Sequence, residues 1–349
     1  MTLFGGYKSH IQENDLVCIQ VRHDDKKILK ITDGEITQTA KGAIRHSGLI
    51  GLPYGSKYKA TCGDVYLLFP TPELWTLSLP HRTQIIYSHD IALICTELDL
   101  KDGSIVLESG TGSGSLTHSL ARAVLPSGKV HTCEFHKERA ITASQEFYEH
   151  GLQDVISVHY RDVCHEQNSS EVAVKDLLNF ADKSSDNAIK QAKESSSELL
   201  QIENGFPKNT NANAVILDVP KPWLALKSAY NSMDKTKTCR FCTFSPCIEQ
   251  VQKAVYFAYQ HFKSLVREMK TVEFNVKSAN VRRMDLKYAD LGFDDSQKEN
   301  FFGDGDENKK YGEDYVHLYS QTGQKVYGHT GYLTFFSVIP DIDGVLEKS

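Results

Sequence analysis

The sequence lacks a long apolar run, and no stretch approaches the ~18 consecutive apolar residues that a membrane-spanning helix needs. Its first eight residues contain no extended apolar stretch, so we expect no secretory signal. The 349 residues include only eight cysteines, irregularly spaced, which is more typical of a reduced intracellular compartment than of a disulfide scaffold. We find no internal repeat. We therefore expect a soluble intracellular protein with roughly two domains.

Positive charge is also in short supply: 39 Lys+Arg face 45 Asp+Glu, a net charge of -6. The acidic excess is concentrated in two polar stretches, residues 165–213 with a net charge of -3 and residues 285–315 with -6. The other 269 residues therefore carry +3, which is compatible with a nucleic-acid partner. Because both stretches have low hydrophobicity, we predict surface insertions that are disordered or only partly helical.

The pattern of apolar residues changes near residue 80. Residues 1–80 contain short β-type runs separated by turns, which predicts a small β-rich N-terminal domain, and Pro70, Pro72 and Pro80 indicate a connector. From residue 81 to 349, seven strands alternate with helices, which predicts an α/β domain with a mostly parallel sheet covered on both faces. The predicted helices are Thr83–Leu98, Ser115–Val124, Lys137–His150, Trp223–Asn231 and Ile248–Phe262. The last two strands, Thr271–Val276 and Tyr332–Val338, are expected to form an antiparallel edge hairpin.

A glycine-rich turn follows the first strand of the second region, reading Glu108-Ser109-Gly110-Thr111-Gly112-Ser113-Gly114-Ser115. Glycine lets a ligand approach the backbone closely, although such turns also serve packing alone. A dinucleotide fingerprint needs glycine at the sixth position, which here is Ser115. The pattern of an acid followed by three alternating glycines instead resembles the S-adenosylmethionine loop of Rossmann-like methyltransferases. In such a loop Glu108 would lie beside the cationic methionine end.

Three further acids are predicted at strand ends, where ligands bind in open α/β sheets. Glu134 is placed to accept both ribose hydroxyls of a nucleoside, or is a solvated strand-end acid. Asp162 with Val163 is placed to meet an adenine ring, or Asp162 is a turn residue. Asp218 begins the segment Asp218-Val219-Pro220-Lys221-Pro222-Trp223, which resembles the acidic loops with which base-modifying methyltransferases hold a target amine. The alternative for Asp218 is a helix N-cap.

Three cysteines, Cys239, Cys242 and Cys247, raise the alternative of a zinc site. The first two lie in a predicted buried strand and no Cys or His follows at ligand spacing, so we expect buried thiols and no metal. Several basic residues are candidate phosphate contacts, each alternatively a solvated surface charge. They are Arg45, His46, Lys57, Lys59, His81, Arg82, Arg282 and Arg283.

Several motifs, present together and in order, carry a more specific resemblance. They are Phe69–Tyr87, the glycine loop, Cys133–His136, Leu217–Pro220, Phe244–Gln250 and Gly328–Tyr332. Over nearly its whole length except the two acidic stretches, the chain resembles the catalytic subunits of eukaryotic tRNA (adenine-58) N1-methyltransferases. The resemblance implies a class I Rossmann-like methyltransferase domain, S-adenosylmethionine as cofactor and tRNA as substrate. It also implies a nuclear heterotetramer of two catalytic and two non-catalytic RNA-binding subunits.

The resemblance, together with the loop, also implies site residues. The cofactor-binding positions are Ile86, Glu108, Gly110, Gly112, Ser113, Gly114, Ser115, Glu134, Arg139, Asp162, Val163 and Asp218. The substrate positions are Gln84, Tyr87, Ser88, Pro220, Ser245, Pro246, Glu249, Gln250 and Thr330, with residues 243–250 near the base. Asp218 is the expected catalytic residue. Two alternatives stay open: a methyltransferase of proteins or small molecules, and a non-catalytic tRNA-binding paralogue.

Overall fold

The computed structural model describes residues 4, 6–22, 25–79, 85–165, 202–275, 279–284, 317–322, 331–342 and 346, the segments 279–284 and 317–322 by their backbone alone. The chain divides into two compact units, residues 1–273 with 331–349, and residues 274–330. Across the described ranges, no helix has the length and apolar character that a membrane crossing requires.

The N-terminal strands form two antiparallel sheets. They are β1 (Leu16–Gln20), β2 (Lys26–Lys30), β3 (Ile36–Thr39), β4 (Gly42–Arg45), β5 (Lys57–Ala60) and β6 (Gly63–Leu68). The larger sheet has the order β2–β1–β6–β5, and β3 pairs with β4. Alternate residues of the two central strands, Val17 and Ile19 on β1 and Val65 and Leu67 on β6, are fully buried in one core. The boundary of a separate domain at residue 80 stays a prediction.

A helix occupies the segment that the prolines suggested was a connector. Pro72–Ser78 form α1, which begins after Thr71, whose hydroxyl accepts the N–H of Leu74 at 3.3 Å. Pro72 stands at the start of the helix, where its missing N–H breaks no hydrogen bond. The prediction of a connector did not anticipate this helix, and the role of the segment in linking two domains stays a prediction.

The rest of the chain is organised around one mixed sheet. The strands that follow are β7 (Ile105–Ser109), β8 (Lys129–Glu134), β9 (Ile156–Asp162), β10 (Glu203–Asn204), β11 (Ala214–Leu217), β12 (Cys239–Ser245), β13 (Val266–Glu273), β14 (Ala279–Met284), β15 (His317–Thr322) and β16 (Tyr332–Val338). The sheet order is β10–β9–β8–β7–β11–β12–β16–β13, parallel as far as β12 and antiparallel beyond it. The seven predicted strands and their antiparallel pair are confirmed, with β10 in addition and β13 at the edge. In the second unit β14 pairs with β15.

Helices cover both faces of this sheet. They are α2 (Ser88–Glu97), α3 (Ser115–Val124), α4 (Lys137–Glu149), α5 (Pro222–Asn231) and α6 (Ile248–Phe262). Val106 of β7 and Ile216 of β11 pack into one core with α2, α3 and α4. Their neighbours Leu107 and Leu217 pack into the other core with α5 and α6. Because the central strands are apolar on both faces, the predicted doubly wound architecture is confirmed.

Two segments differ from the predictions. The helix predicted from Thr83 begins at Ser88, because Tyr87 has extended backbone, and residues 81–84 lie outside the described ranges. The end of the first polar stretch, residues 202–213, is ordered: Phe206 is fully buried and its N–H donates to the hydroxyl of Ser228 at 2.8 Å. One buried aromatic residue thus anchors a segment that composition indicated was disordered. Residues 166–201 and 285–315, the remainder of the predicted insertions, lie outside the described part of the chain.

Candidate active site

The predicted site acids meet at one edge of the large sheet. Strands β9, β8, β7 and β11 are parallel neighbours, so their carboxyl ends lie side by side. Glu108, Glu134, Asp162 and Asp218 lie at or directly after those ends. This is the edge at which open α/β sheets bind ligands.

Three glycines shape the loop between β7 and α3. Gly110, Gly112 and Gly114 have φ angles of 96°, 54° and 73°, in the left-handed region that side chains disfavour. The N–H of Gly110 donates to the carbonyl of Cys133 at 3.0 Å, and the N–H of Gly114 donates to that of Thr111 at 2.8 Å. The loop is therefore a turn that only glycine adopts without strain.

Gly110 also contacts the end of β11. A Cβ atom at this position would collide with the backbone carbonyl oxygen of Asp218. The N–H of Asp218 in turn donates to the carbonyl of Ser109 at 3.0 Å. The loop and the acid that were predicted to share a ligand are thus in direct backbone contact.

The start of α3 is tied to the segment before α2. The hydroxyl of Ser115 donates to the carbonyl of Ile86 at 3.2 Å and lies 2.8 Å from the hydroxyl of Thr76 on α1. Ser113, Ser115 and Ile86 are all buried. The structure therefore brings Ile86 and Ser115 together, and it adds Thr76, which the sequence analysis did not single out.

Glu134 connects the glycine loop to α4. One carboxylate oxygen accepts the N–H of Gly112 at 3.0 Å. The other accepts the N–H of His136 at 2.9 Å and pairs with the guanidinium of Arg139 at 2.9 Å. The first oxygen retains capacity for a second donor, so the predicted ribose contact is compatible with this arrangement. The predicted cofactor residue Arg139 lies against Glu134.

Glu108 is buried beneath the loop. Its carboxylate is 1% exposed and accepts the hydroxyl of Thr117 on α3 at 2.7 Å. Burial raises the pKa of Glu108 to about 8, and the charges of Asp218 and Glu134 act in the same direction. At neutral pH this carboxyl holds its proton unless a positive charge comes close. Thr117 was not predicted, because its role depends on how α3 packs against β7.

Asp218 has an available carboxylate. Within the described ranges, no donor forms a hydrogen bond with its side chain. Burial raises the pKa of Asp218 to about 6. The N-cap of α5 is Lys221, without a side-chain hydrogen bond, so the alternative of Asp218 as a helix cap is wrong. The carboxylate is therefore free to accept a hydrogen from a ligand.

Asp162 lies in a turn, as its alternative interpretation predicted. Its carboxylate accepts the N–H of Cys164 at 2.9 Å and lies 2.8 Å from the Nδ1 atom of His165. Val163 is buried in the core covered by α5. The adenine contact of both residues stays a prediction.

The start of α6 is attached to the turn that follows Asp218. The Nε2 atom of Gln250 donates to the carbonyl of Pro220 at 3.0 Å, and its Oε1 atom accepts the N–H of Cys247 at 3.0 Å. Both polar ends of Gln250 are thus used within the protein. The substrate roles of Gln250 and Pro220 stay predictions, but their contact positions the Asp218 turn.

Two buried hydroxyls lie at the end of β12. Thr243 and Ser245 are fully buried, and neither hydroxyl has a hydrogen-bond partner among the described residues. Thr243 is the register partner of Leu217, directly before Asp218. Buried hydroxyls without partners are costly unless a ligand satisfies them. Both lie in the range 243–250 that was predicted near the base, and Ser245 was also named as a substrate residue.

The other predicted substrate residues have varied placements. Tyr87 and Ser88 are half-buried at the start of α2, and Pro246 and Glu249 are exposed at the start of α6. Gln84 and Thr330 lie outside the described ranges.

The remaining basic and cysteine candidates are also placed. His46 is buried, with Nδ1 accepting the N–H of Thr32 at 3.2 Å and Nε2 lying 2.8 Å from the hydroxyl of Thr37, so a phosphate contact there was a wrong prediction. Cys242 and Cys239 lie in the cores on opposite faces of the sheet and do not converge. No group of three metal-binding side chains occurs in the described part of the chain. His81, Arg82 and the side chains of Arg282 and Arg283 lie outside it.

Comparison with solved structures shows a methyltransferase fold. A SAM-dependent O-methyltransferase from Thermotoga maritima has a TM-score of 0.65 and 20% identity, with 95% of each chain covered. The tRNA (m1A58) methyltransferase TrmI from Aquifex aeolicus has a TM-score of 0.59 and 19% identity, with 95% of this chain and 99% of that chain covered. At these identities the similarity is one of fold.

Comparison of sequences is more specific. The family described as "tRNA methyltransferase complex GCD14 subunit" matches residues 63–199 and 196–338. The tRNA (adenine(58)-N(1))-methyltransferase catalytic subunit TRM61 of Eremothecium gossypii is 37% identical over 298 residues, 83% of this chain and 67% of that protein. TRM61 of Candida albicans is 39% identical over 254 residues, 72% of this chain and 65% of that protein, so the alignment spans less than two thirds of that relative. The chain belongs to the GCD14 family of tRNA methyltransferase complex subunits.

Proposed function

We propose that this chain is the catalytic subunit that transfers the methyl group of S-adenosylmethionine to N1 of adenine 58 in the T-loop of tRNA. The observation that carries the proposal is Asp218, whose carboxylate has no hydrogen-bond partner among the described residues and whose backbone contacts Gly110 of the glycine loop. The relatives named as such catalytic subunits, at 37% and 39% identity, support the same substrate.

The residues at the sheet edge fit S-adenosylmethionine in shape and charge. The three glycines leave the loop backbone without side chains at residues 110, 112 and 114, and Glu134 retains acceptor capacity for a ribose hydroxyl. Glu108 is a buried carboxyl whose ionised form needs a cation, and the methionine end of the cofactor is cationic. When bound, S-adenosylmethionine supplies an electrophilic methyl group on a positively charged sulfur.

Asp218 orients the target base and stabilises its developing charge. Adenine N1 attacks through an in-plane lone pair, so no proton is removed beforehand, and positive charge develops on the ring. By accepting a hydrogen from the 6-amino group, the carboxylate aims N1 and lowers the energy of the charged transition state. Thr243 and Ser245 offer two further hydroxyls at this edge. The adenine must leave the base stack of the tRNA to reach these side chains.

Two alternatives fit the site less well. A non-catalytic tRNA-binding paralogue needs neither a formed loop nor an available acid, yet Gly110, Glu134 and Asp218 are assembled together. A methyltransferase of proteins or small molecules would share the loop, but membership of the GCD14 family favours tRNA.

We also propose that the chain acts in a nuclear heterotetramer of two catalytic and two non-catalytic RNA-binding subunits. The family description, which refers to a complex, supports an assembly. The charge of the chain supports a basic partner, because a protein of net charge -6 must otherwise hold a polyanion alone. Equally tight tRNA binding by the isolated chain and by the complex would contradict this part of the proposal.

The test of the proposed activity is transfer of labelled methyl groups to a tRNA transcript. The chain is assayed alone and with its partner subunit, on a transcript with adenine 58 and on one in which that base is replaced. We expect label only when partner and adenine 58 are both present. Cofactor binding without label in the complex would contradict the tRNA assignment and favour a protein or small-molecule substrate.

A further inference from the structure

The larger N-terminal sheet has one face that is covered at one end and open at the other. The inner face carries Ile19, Val65 and Leu67 and is buried in the domain core. On the outer face Cys18 is buried, with its sulfur 4.0 Å from the hydroxyl of Ser78 on α1. The side chains at the other end of this outer face are exposed or half-buried: Lys57, Lys59, Asp64 and Tyr66 are exposed, and Gln20 and Lys26 are half-buried.

Strand register places four polar residues in a row across that open end. Gln20 pairs with Lys26 on one side and with Tyr66 on the other, and Tyr66 pairs with Lys57. Because directly opposed residues of antiparallel strands point to the same face, the order is Lys26–Gln20–Tyr66–Lys57, one residue from each strand. We name these four residues the Lys–Tyr row. Its aromatic member, Tyr66, is 48% exposed.

A second row adds one lysine and one aspartate to this face. Lys59 is the strand register partner of Asp64, and both lie beside the Lys–Tyr row on the same face. The charges of Lys57, Lys59 and Lys41 all lie near Asp64 and hold the pKa of its carboxyl below the usual range, the hydrogen bond from Lys57 being the largest cause. The strand positions of this open end thus comprise three lysines, one aspartate, a glutamine and an exposed tyrosine, in a chain whose net charge is -6.

We propose that this outer face of the N-terminal sheet binds the phosphodiester backbone of the RNA substrate and stacks one unpaired nucleotide on Tyr66. The inference rests on the proposed function, since it assigns a contact surface for the same tRNA. Lysines spaced by two residues on a strand lie roughly 6.8 Å apart and present a line of charge to a phosphate chain. Proteins bind single-stranded RNA by stacking its bases on aromatic rings that lie among basic residues of this kind.

The ion pair between Lys57 and Asp64 does not block this role. Lys57 and Asp64 are 2.6 Å apart, with both side chains well exposed, at 55% and 41%. Exposed ion pairs of this kind contribute little to stability, so the lysine of such a pair readily exchanges its carboxylate partner for another anion. Lys57 can therefore exchange Asp64 for a phosphate group, while Lys59 lies beside it.

The test measures tRNA affinity of the complex of this chain with its partner subunit. Charge reversal in Lys57→Glu/Lys59→Glu is expected to weaken tRNA binding at least tenfold. The number of ions released on binding, measured from the salt dependence of the affinity, is expected to fall by about one to two. The neutral pair Lys57→Gln/Lys59→Gln covers the case in which reversal disturbs folding. Tyr66→Ala is expected to lose roughly tenfold, and Tyr66→Phe, which keeps the stacking ring, to stay within about twofold.

Two controls separate this surface from the cofactor site and from general charge. Lys237→Glu changes an exposed lysine that pairs with Asp234 before the amino end of β12, and is expected to leave tRNA affinity unchanged. Affinity for S-adenosylmethionine is expected to be equal in all variants. Unchanged tRNA affinity in both lysine pairs would overturn the inference. Loss of the partner subunit from the complex would also overturn it, by showing that the face binds protein.

The outcome is distinguishable from a failure of the proposed function. If the unaltered complex binds tRNA through this face but transfers no methyl group to adenine 58, the proposed activity falls and the RNA-binding surface stands. If methyl transfer occurs and the lysine variants bind tRNA normally, the activity stands and this surface is wrongly assigned.

Discussion

The backbone of Gly110 lies against the backbone of Asp218, so closely that a Cβ atom on residue 110 would overlap the Asp218 carbonyl oxygen. Through this contact, the glycine loop of the proposed cofactor site and Asp218, which is proposed to bind the target adenine, form one structural unit. A change in the loop is therefore expected to displace the acid.

Replacing Gly110 by alanine is expected to cost more than backbone strain. Gly103 is a matched control, because its φ of 81° is similar and a Cβ there would meet open space. Gly103→Ala should lose about 1–2 kcal/mol of unfolding free energy and keep its affinity for S-adenosylmethionine. Gly110→Ala should lose more stability and bind S-adenosylmethionine at least tenfold more weakly. Equal cofactor affinity in the two variants, measured by calorimetry, would show that the contact has no role in binding.

The rate of methyl transfer is expected to follow the ionisation of Asp218. Burial raises its pKa to about 6, and only the ionised carboxylate accepts a hydrogen from the 6-amino group without donating one. The rate should therefore rise tenfold per pH unit below about 6 and level off above it. Asp218→Asn should remove this inflection from the pH profile of single-turnover rates. An inflection at the same pH in the asparagine variant would assign it to another group.

Glu108 is expected to make the ligand-free protein less stable as pH rises. Burial raises its pKa from 4.5 to about 8, so the unfolded chain ionises first and the native state loses stability across that interval. The buried histidines His118, His131, His150 and His159 have lowered pKa values of about 4 or below and are neutral throughout the upper part of the interval.

Urea unfolding of the native sequence and of Glu108→Gln, compared between pH 7 and pH 8, isolates the contribution of Glu108. The histidines protonate only in the unfolded chain near pH 7 and change the slope equally in both proteins. The free energy of unfolding should fall by about 1 kcal/mol more over that unit with Glu108 than with glutamine. Equal slopes in the two proteins would mean that Glu108 is already ionised in the native protein.

Gln250 is expected to position the Asp218 turn without touching the reacting atoms. Gln250→Leu removes both its hydrogen bonds and should cost about 1 kcal/mol of stability through the lost helix cap, with kcat reduced more than cofactor affinity. Gln250→Glu keeps an acceptor for the N–H of Cys247 but loses the donor to Pro220, so it should restore stability and not kcat. Gln252→Leu, on the exposed face of α6, is the control. Full kcat in Gln250→Leu would remove the positioning role.

Periodicity and glycine spacing predicted the large sheet well. The bounds of α3 and α6 and of strands β11 and β16 agree with the prediction, because these segments have strong local patterns and clear ends. Helix α1 was missed because Pro72 was interpreted as part of a connector, although it starts the helix. The sequence motifs also identified Glu108, Glu134 and Asp218 as neighbours at one sheet edge.

Contacts that depend on tertiary packing could not be predicted from the sequence. Thr117 supports Glu108, and Thr76 supports Ser115, through helices whose relative placement no local pattern specifies. The ordering of Phe206 depends on a hydrogen bond to Ser228 on α5, far from it in the chain. Composition alone describes the polarity of that segment and not its anchor.

The central claim is that Asp218 holds and polarises the target adenine. It is tested most directly by single-turnover methyl transfer to tRNA in Asp218→Ala, with cofactor affinity and unfolding measured on the same sample. We expect a rate lower by roughly 10²–10³-fold in a folded protein that still binds S-adenosylmethionine. A near-normal rate, or a loss accounted for entirely by weaker cofactor binding, would contradict it.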